Sequence, residues 1–378
     1  MKEVMTFKAG KFVFCDQYDK PQIEKQLVEA ATLNSAISDL PILPKWSSQI
    51  DPELLYSSVA GTAAIEGNAL VAEEVRALDE GKIPDAGHTA KDKLEITNLI
   101  GAYRLLDERQ AMPSTAHLLA ESHIRDLHRQ ITIGLPYEDN IPGVYRNGMV
   151  KVGDKAHGGI YTPPKIIEDV EMLMREFIEW INSGDLLNEN AFVRAALAHY
   201  HFSLIHPFWD GNGRVARLVE ALLLQSEGIR YVPKMLSNYY YRHVDDYYRA
   251  FSDTIRAEKD VTPFLEFNLR GVIESLQTMK TRIANLIRML VMREHLHLLG
   301  SNKTISKRQN DLITLLLDDS SGKQFTLHEL QKSLPYSMLY RKVSEMTARR
   351  DLKNLLDRKL LVVDADGRYS LNLRGFDS

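Results

Sequence analysis

The thirteen residues from Ile205 to Arg217, IHPFWDGNGRVAR, bring an imidazole, a carboxylate, a Gly-Asn-Gly triplet and two guanidinium groups close together. Pro207 disfavours helical geometry in the residue before it, so His206 belongs on a turn. An apolar helix starts near Arg214, with Leu218, Val219, Leu222 and Leu223 on its core face, and this leaves Gly211-Asn212-Gly213 at the helix N-terminus. Such a terminus offers unpaired N–H groups and a partial positive charge, and glycine lets an anion approach the backbone. Arg214 and Arg217 are three apart, share a helix face and add planar donor forks suited to phosphate oxygens. Asp210 supplies a hard oxygen ligand for the divalent cation that accompanies a nucleotide. A neutral His206 can take the proton from a hydroxyl as it attacks phosphorus. Together these groups describe a site for nucleotidyl or phosphoryl transfer.

Two other chemistries fit less well. The Gly-x4-Gly-Lys-Ser/Thr loop of the common nucleotide folds is absent. A zinc site built on His199, His201 and His206 fails on geometry, because helical positions two apart point to opposite sides. Phe208 reads as a core anchor for the loop.

The elements that must position these groups are mostly helices. Residues 1–50 read as an N-terminal arm with a helix near 21–38. Asp51-Pro52 looks like a helix start, since Asp caps free N–H groups and proline at the first position leaves none unpaired; that helix runs to Glu66 and stops at Gly67-Asn68. Helical periodicity covers 90–133, interrupted near 112–115. The stretch 143–164, GVYRNGMVKVGDKAHGGIYTPP, has β-type residues and turn glycines and reads as a hairpin or flap between helices. Helices follow over 165–183, 189–205, 214–227, 238–258 and 262–299. After a linker at 300–304 come helices over 305–318, 326–333 and 344–358, with a glycine-containing turn between the first two. A hairpin over 360–373 with Asp366-Gly367 at its turn closes the chain. The domains expected are an arm over 1–50, a catalytic domain over 51–299 and a C-terminal domain over 305–378.

The 378 residues are 44% hydrophobic and 26% charged, as in soluble globular proteins. No apolar run reaches the roughly 18 residues of a membrane span, and the single cysteine, Cys15, cannot form an internal disulfide. A cytoplasmic protein without membrane partners is the expectation. The net charge of −4 hides a basic end: residues 301–378 carry 14 Lys and Arg against 10 Asp and Glu.

The run His206-Pro207-Phe208-Trp209-Asp210-Gly211-Asn212-Gly213-Arg214-Val215-Ala216-Arg217 resembles the signature of the Fic family, His-x-Phe-x-Asp/Glu-Gly-Asn-Gly-Arg-x-x-Arg, at every specified position. The resemblance extends over about 50–270 and implies a mainly α fold, a Fic helical bundle with a β-hairpin flap that docks targets. It implies transfer of AMP from ATP, with Mg²⁺, to a hydroxyl side chain of a target protein. His206 is then the general base and Asp210 the Mg²⁺ ligand. Asn212 and the loop N–H groups, from Gly211 and Gly213 through Val215 and Ala216, hold the α-phosphate, and Arg214 and Arg217 the outer phosphates. Tyr240, Arg242 and Tyr248, in the aromatic run SNYYYRHVDDYY, are candidate adenine contacts. TAAIEGN at 62–68 resembles the family's inhibitory Ser/Thr-x-x-x-Glu-Gly/Asn motif, which implies that Glu66 pairs with Arg217 and obstructs productive ATP binding. A glutamate at a helix C-terminus is disfavoured by the helix dipole, and a nearby cation relieves this.

The stretch 344–352, SEMTARRDL, resembles the recognition helix of bacterial helix-turn-helix regulators, with the 360–373 hairpin as the wing of a winged-helix (α+β) domain. The expected function is a self-inhibited protein adenylyltransferase. The alternatives are a DNA-binding regulator whose Fic domain senses a nucleotide and an enzyme that also removes AMP. Target protein, DNA and a second copy of the chain are the partners considered.

Overall fold

The computed structural model describes residues 1–82, 87–111, 118–318 and 324–374, apart from the side chains of residues 110 and 111. The interruption expected at 112–115 lies outside the described residues, as does most of the glycine-containing turn after 318. The chain forms two compact units, Met1–Met279 and Lys280–Ser378.

The first unit opens with a hairpin of β1 (Lys2–Met5) and β2 (Lys11–Phe14), which a short alternating pattern within the expected arm did not announce. The carboxylate of Asp169 accepts the N–H groups of Phe7, Lys8 and Ala9 at its turn, and Phe14 stacks on Trp180 with ring centroids 5.3 Å apart. Next come α1 (Lys20–Ser38), α2 (Pro44–Ile65), α3 (Ala72–Asp79), α4 (Ala90–Ala111) and α5 (Glu121–Thr132). The helix expected to begin at Asp51 begins instead at Pro44. Pro44 holds the first-turn position, where a missing N–H costs nothing, and Pro52 sits inside the helix, removing one backbone hydrogen bond. The helix does end at Ile65, with Glu66 as C-cap and Gly67 at φ 90°.

After the segment 143–164 come α6 (Ile167–Ile181), α7 (Gly184–Leu187), α8 (Ala191–Ile205) and α9 (Asn212–Ser226). The apolar composition of α8 reflects its place: almost every side chain is buried. It packs along α9, so the loop joining them is held on both sides by core helices. A 3₁₀ turn at Val232–Lys234 leads to α10 (Leu236–Arg242) and α11 (Val244–Arg256), two helices where one was expected over 238–258. Helix α12 (Thr262–Ser301) begins in the first unit and ends in the second.

The second unit continues with α13 (Lys307–Asp318), α14 (Leu327–Lys332), a short α15 (Ser337–Tyr340) and α16 (Glu345–Asp357), and ends in the antiparallel pair β3 (Leu361–Val363) and β4 (Tyr369–Leu371). Phe325 forms an isolated bridge with Tyr369, so an extended residue before α14 flanks the hairpin. Leu312, Phe325, Leu330, Tyr340, Leu352 and Leu355 share its core. Among the described residues no helix is long and apolar enough to cross a membrane.

Candidate active site

His206 caps the C-terminus of α8 in the left-handed region, at φ 50° and ψ 59°. Its N–H still bonds to the Phe202 carbonyl at 2.9 Å, and Pro207 stops the helix there. A non-glycine residue in this conformation costs of order 1 kcal/mol, which the surrounding contacts must offset. The imidazole Nδ1 lies 3.3 Å from the Ser203 carbonyl. A carbonyl only accepts, so that contact places the proton on Nδ1 and leaves the Nε2 lone pair free. Burial lowers the imidazole to about 4, and the Arg146 guanidinium pushes the same way. At neutral pH the ring is therefore uncharged, the form that can accept a proton.

The loop after His206 is braced from inside. Phe208 is fully buried and lies flat on His128, with centroids 3.6 Å apart and planes 2° from parallel. Asn212 accepts the Phe208 N–H at 2.9 Å and donates to the Phe208 carbonyl at 2.8 Å. The Asn212 side chain is thus committed to the loop, and what it can offer a phosphate is its backbone N–H. Val215 and Ala216 likewise bury their side chains in the core. Gly211 turns the chain at φ 83°, and the Val215 N–H makes the bond that opens α9, to the Gly211 carbonyl. The N–H groups of Asn212, Gly213 and Arg214 have no acceptor within the helix and so form an end, or cradle, that can receive an anion.

His128 was not singled out from the sequence, yet it organises this loop. Its Nδ1 accepts the Gly143 N–H at 2.8 Å, so Nε2 carries the proton and donates to the Asp210 carbonyl at 3.0 Å. Burial holds it neutral, lowering it to about 4. Only its place on the buried face of an amphipathic helix hinted at a structural role, and nothing local tied it to residue 210.

The two arginines are held differently. Arg214 reaches Asp210 at 2.6 Å and Glu95 at 3.6 Å, and its buried Nε has no hydrogen-bond partner among the described residues. Arg217 donates to the Thr62 hydroxyl at 2.7 Å, the Thr62 carbonyl at 3.2 Å and the Glu66 carboxylate at 2.7 Å. Burial alone would lower this guanidinium, but Glu66 and then Tyr247 outweigh it and hold it above its ordinary value. The first and fifth residues of TAAIEGN thus meet the last arginine of the loop. A Cβ on Gly213 would lie 2.6 Å from the Glu66 carboxylate, so these segments touch without room for one more carbon.

A cavity of about 500 Å³ opens here, lined by Glu66, Lys151, His206, Gly213, Arg217 and Tyr248 among others. Of the three candidate adenine contacts only Tyr248 lines it. Tyr240 is fully buried and donates its hydroxyl to Glu220, which also accepts from Asn268. Arg242 is exposed and paired with Glu274 at 2.7 Å. The break at His243 between α10 and α11 turns these residues away, and brings Tyr247 into the wall. His199 is occupied by Glu220 and Tyr247, and His201 by the Cys15 carbonyl. The segment 143–164 covers the cavity as a flap with a single strand-like pairing, Val152 with Tyr161, shorter than the hairpin expected. His157 in the flap sits between Asp154 at 2.9 Å and Asp245 of α11 at 3.1 Å, and those carboxylates hold it above the usual histidine value.

Asp210 is half exposed at the edge of the cradle, a single carboxylate where a metal–nucleotide complex needs one or two and phosphates complete the shell. Among the described residues no three acid, histidine or cysteine side chains gather to hold a metal by themselves. The donor set therefore fits a cation that arrives with its nucleotide.

Residues 118–224 match the Fic/DOC family. A "Protein adenylyltransferase Fic" from Nematostella vectensis is 30% identical over 219 residues, covering 58% of this chain and 47% of the relative. "Protein adenylyltransferase fic-1" from Caenorhabditis elegans is 31% identical over 184 residues, covering 47% of this chain and 33% of the relative. The chain thus spans half or less of the length of these relatives. In fold, it resembles the crystal structure of a Fic family protein from Desulfovibrio desulfuricans G20, with TM-score 0.58, 21% identity and coverage of 94% of this chain and 98% of that one. Fic-1 from C. elegans superposes with TM-score 0.56 at 23% identity, covering 70% of this chain and 73% of that one.

Proposed function

We propose that this chain is a protein adenylyltransferase that moves AMP from ATP to a hydroxyl side chain of another protein. The observation that carries this reading is one shared cavity, into which a neutral His206, the Gly213 end of the anion cradle and Arg217 all open. The target oxygen bonds to the α-phosphorus, the bond from that phosphorus to the bridging oxygen breaks, and pyrophosphate leaves. His206 Nε2 takes the hydroxyl proton. The N–H groups of Asn212, Gly213 and Arg214 hold the α-phosphate, with Arg214 and Arg217 on the outer phosphates. Asp210, together with phosphate oxygens and water, would hold the Mg²⁺ that accompanies ATP, and when bound that ion would supply positive charge to the leaving pyrophosphate. Because Glu66 occupies Arg217, the chain as it stands is self-inhibited, the carboxylate taking a place a phosphate needs.

The second unit is read as a winged helix, supported by its order of helices followed by a hairpin and by the Phe325–Tyr369 bridge. Its α16 displays Arg349 and Arg350 outward, as a helix that contacts DNA does.

The test is incubation of the full chain with Mg²⁺, cell lysate and ATP labelled in turn at the α- and γ-phosphate. Protein label from the α position alone supports AMP transfer, whereas label from the γ position makes the chain a kinase and overturns the reading. Binding of ATP without any transfer favours the nucleotide-sensing regulator.

A further inference from the structure

The root of the flap carries a buried arginine with unusual partners. Arg146 is fully buried, and its guanidinium donates to three carbonyls: that of His206 at 2.7 Å, that of Ile205 at 3.3 Å and that of Gly148 at 2.5 Å. Its backbone N–H donates to the Pro207 carbonyl at 2.9 Å. Among the described residues no carboxylate pairs with it. A buried charge without a counter-ion is expensive, and an apolar side chain would fill the same space at lower cost. The carbonyls at the end of α8 offset part of that cost, because they carry the negative end of the helix dipole. Two of them flank the backbone of the one non-glycine residue that this helix end forces into the left-handed region.

We propose that Arg146 is the positioning residue for His206: by gripping the carbonyls of residues 205 and 206 from the flap root, it fixes the conformation that presents Nε2 to the cavity. The inference rests on the reading of His206 as the base. The grip makes the flap part of the base's mounting as well as a cover over the cavity. The same guanidinium places a positive charge beside the imidazole and resists its protonation. The other groups acting on the ring are the Ser203 carbonyl from α8, Glu66 after α2 and Asp210 in the loop, all favouring the protonated form, while Arg217 lines the same cavity. With burial, Arg146 prevails over them.

The experiment compares Arg146→Gln and Arg146→Lys with the parent in the full chain. Rates of AMP transfer are measured against ATP concentration and pH, and His206 is titrated by NMR with His206→Gln as the assignment control. Arg146→Gln is expected to lower kcat roughly ten- to a hundredfold through misplacement of the base. KM for ATP should stay within about twofold, since no cradle group is altered. The His206 pKa and the acid limb of the rate profile should rise together toward the ordinary value of about 6.5. Arg146→Lys keeps the charge but cannot reach all three carbonyls, so its acid limb should stay near the parent's while kcat falls. A parental His206 titration in Arg146→Gln, or a parental kcat in Arg146→Lys, overturns the proposal. If Arg146→Gln does not fold, the Lys variant alone decides. Retained transfer in His206→Gln would instead refute His206 as base, and the NMR titration reads the Arg146 contact whether or not transfer occurs.

Discussion

Replacing Glu66 with glycine should raise AMP transfer, including transfer onto the chain itself. The carboxylate and an incoming phosphate are both anions and would compete for the guanidinium of Arg217, 2.7 Å from Glu66. A charge-assisted hydrogen bond is worth about 1.5–3 kcal/mol. The Arg217 side chain is 2% exposed but that of Glu66 is 34% exposed, so solvent screening places this pair at the low end. About 1.5–2 kcal/mol corresponds to a ten- to thirtyfold gain in the productive complex. Arg217 keeps its two bonds to Thr62 and stays in place when the carboxylate is gone. Glycine adds no obstruction at a helix end. The assay is autolabelling with α-labelled ATP in the parent, Glu66→Gly, Arg217→Ala and the double variant. Equal labelling of parent and Glu66→Gly would refute the competition. Strong labelling of the double variant would show that Arg217 is dispensable for holding ATP.

His206→Ala should abolish transfer while leaving ATP binding nearly intact, because the base acts on the incoming hydroxyl; parallel losses measured by calorimetry and rate would assign it to nucleotide binding instead. In Asp210→Ala the dependence of rate on Mg²⁺ concentration should weaken, and a dependence like the parent's would exclude Asp210 as ligand. His128, His201 and His206 are each lowered to about 4 by burial. Between about pH 6.5 and 4 the unfolded chain binds more protons at these sites than the folded one, so stability should fall as pH falls through that window; a flat urea midpoint over this range would contradict their buried, neutral state. DNA binding by the second unit should weaken steeply with salt and be reduced by Arg349→Glu with Arg350→Glu in the full chain, and gel shifts unaffected by salt or by these changes would remove α16 from the interface.

The parts of the site visible in the sequence are those whose chemistry is local. The cradle, the turn at His206 and the end of α2 at Glu66 each follow from neighbours a few residues apart. The start of α2 was misplaced because Pro44 and Pro52 carry the same local signal, and packing alone decides which opens the helix. Tyr240 and Arg242 were drawn into the site by an aromatic run that does not reveal its break at His243. His128 and Arg146 were missed for a different reason. Their partners, the carbonyls of Asp210 and His206, are backbone atoms distant in sequence, and any residue presents a carbonyl. The flap was legible as β-type, but left-handed glycines at 153, 158 and 159 use up the chain that a longer ladder needs.

Gly213 stands in the first turn of α9 with ordinary helical geometry, where alanine is locally the better residue. The added methyl would instead strike the carboxylate of Glu66, brought there by a helix from far earlier in the chain. Local preference and tertiary contact therefore disagree at this position, and a methyl here would have to push the partly exposed tip of the Glu66 side chain aside. Two substitutions that look unrelated are consequently linked. Shortening residue 66 makes space for a side chain at 213, so in a library selected for folding alone, larger residues at 213 should be enriched alongside smaller ones at 66. The absence of that pairing among folded members would mean that the Glu66 side chain swings aside to relieve the clash.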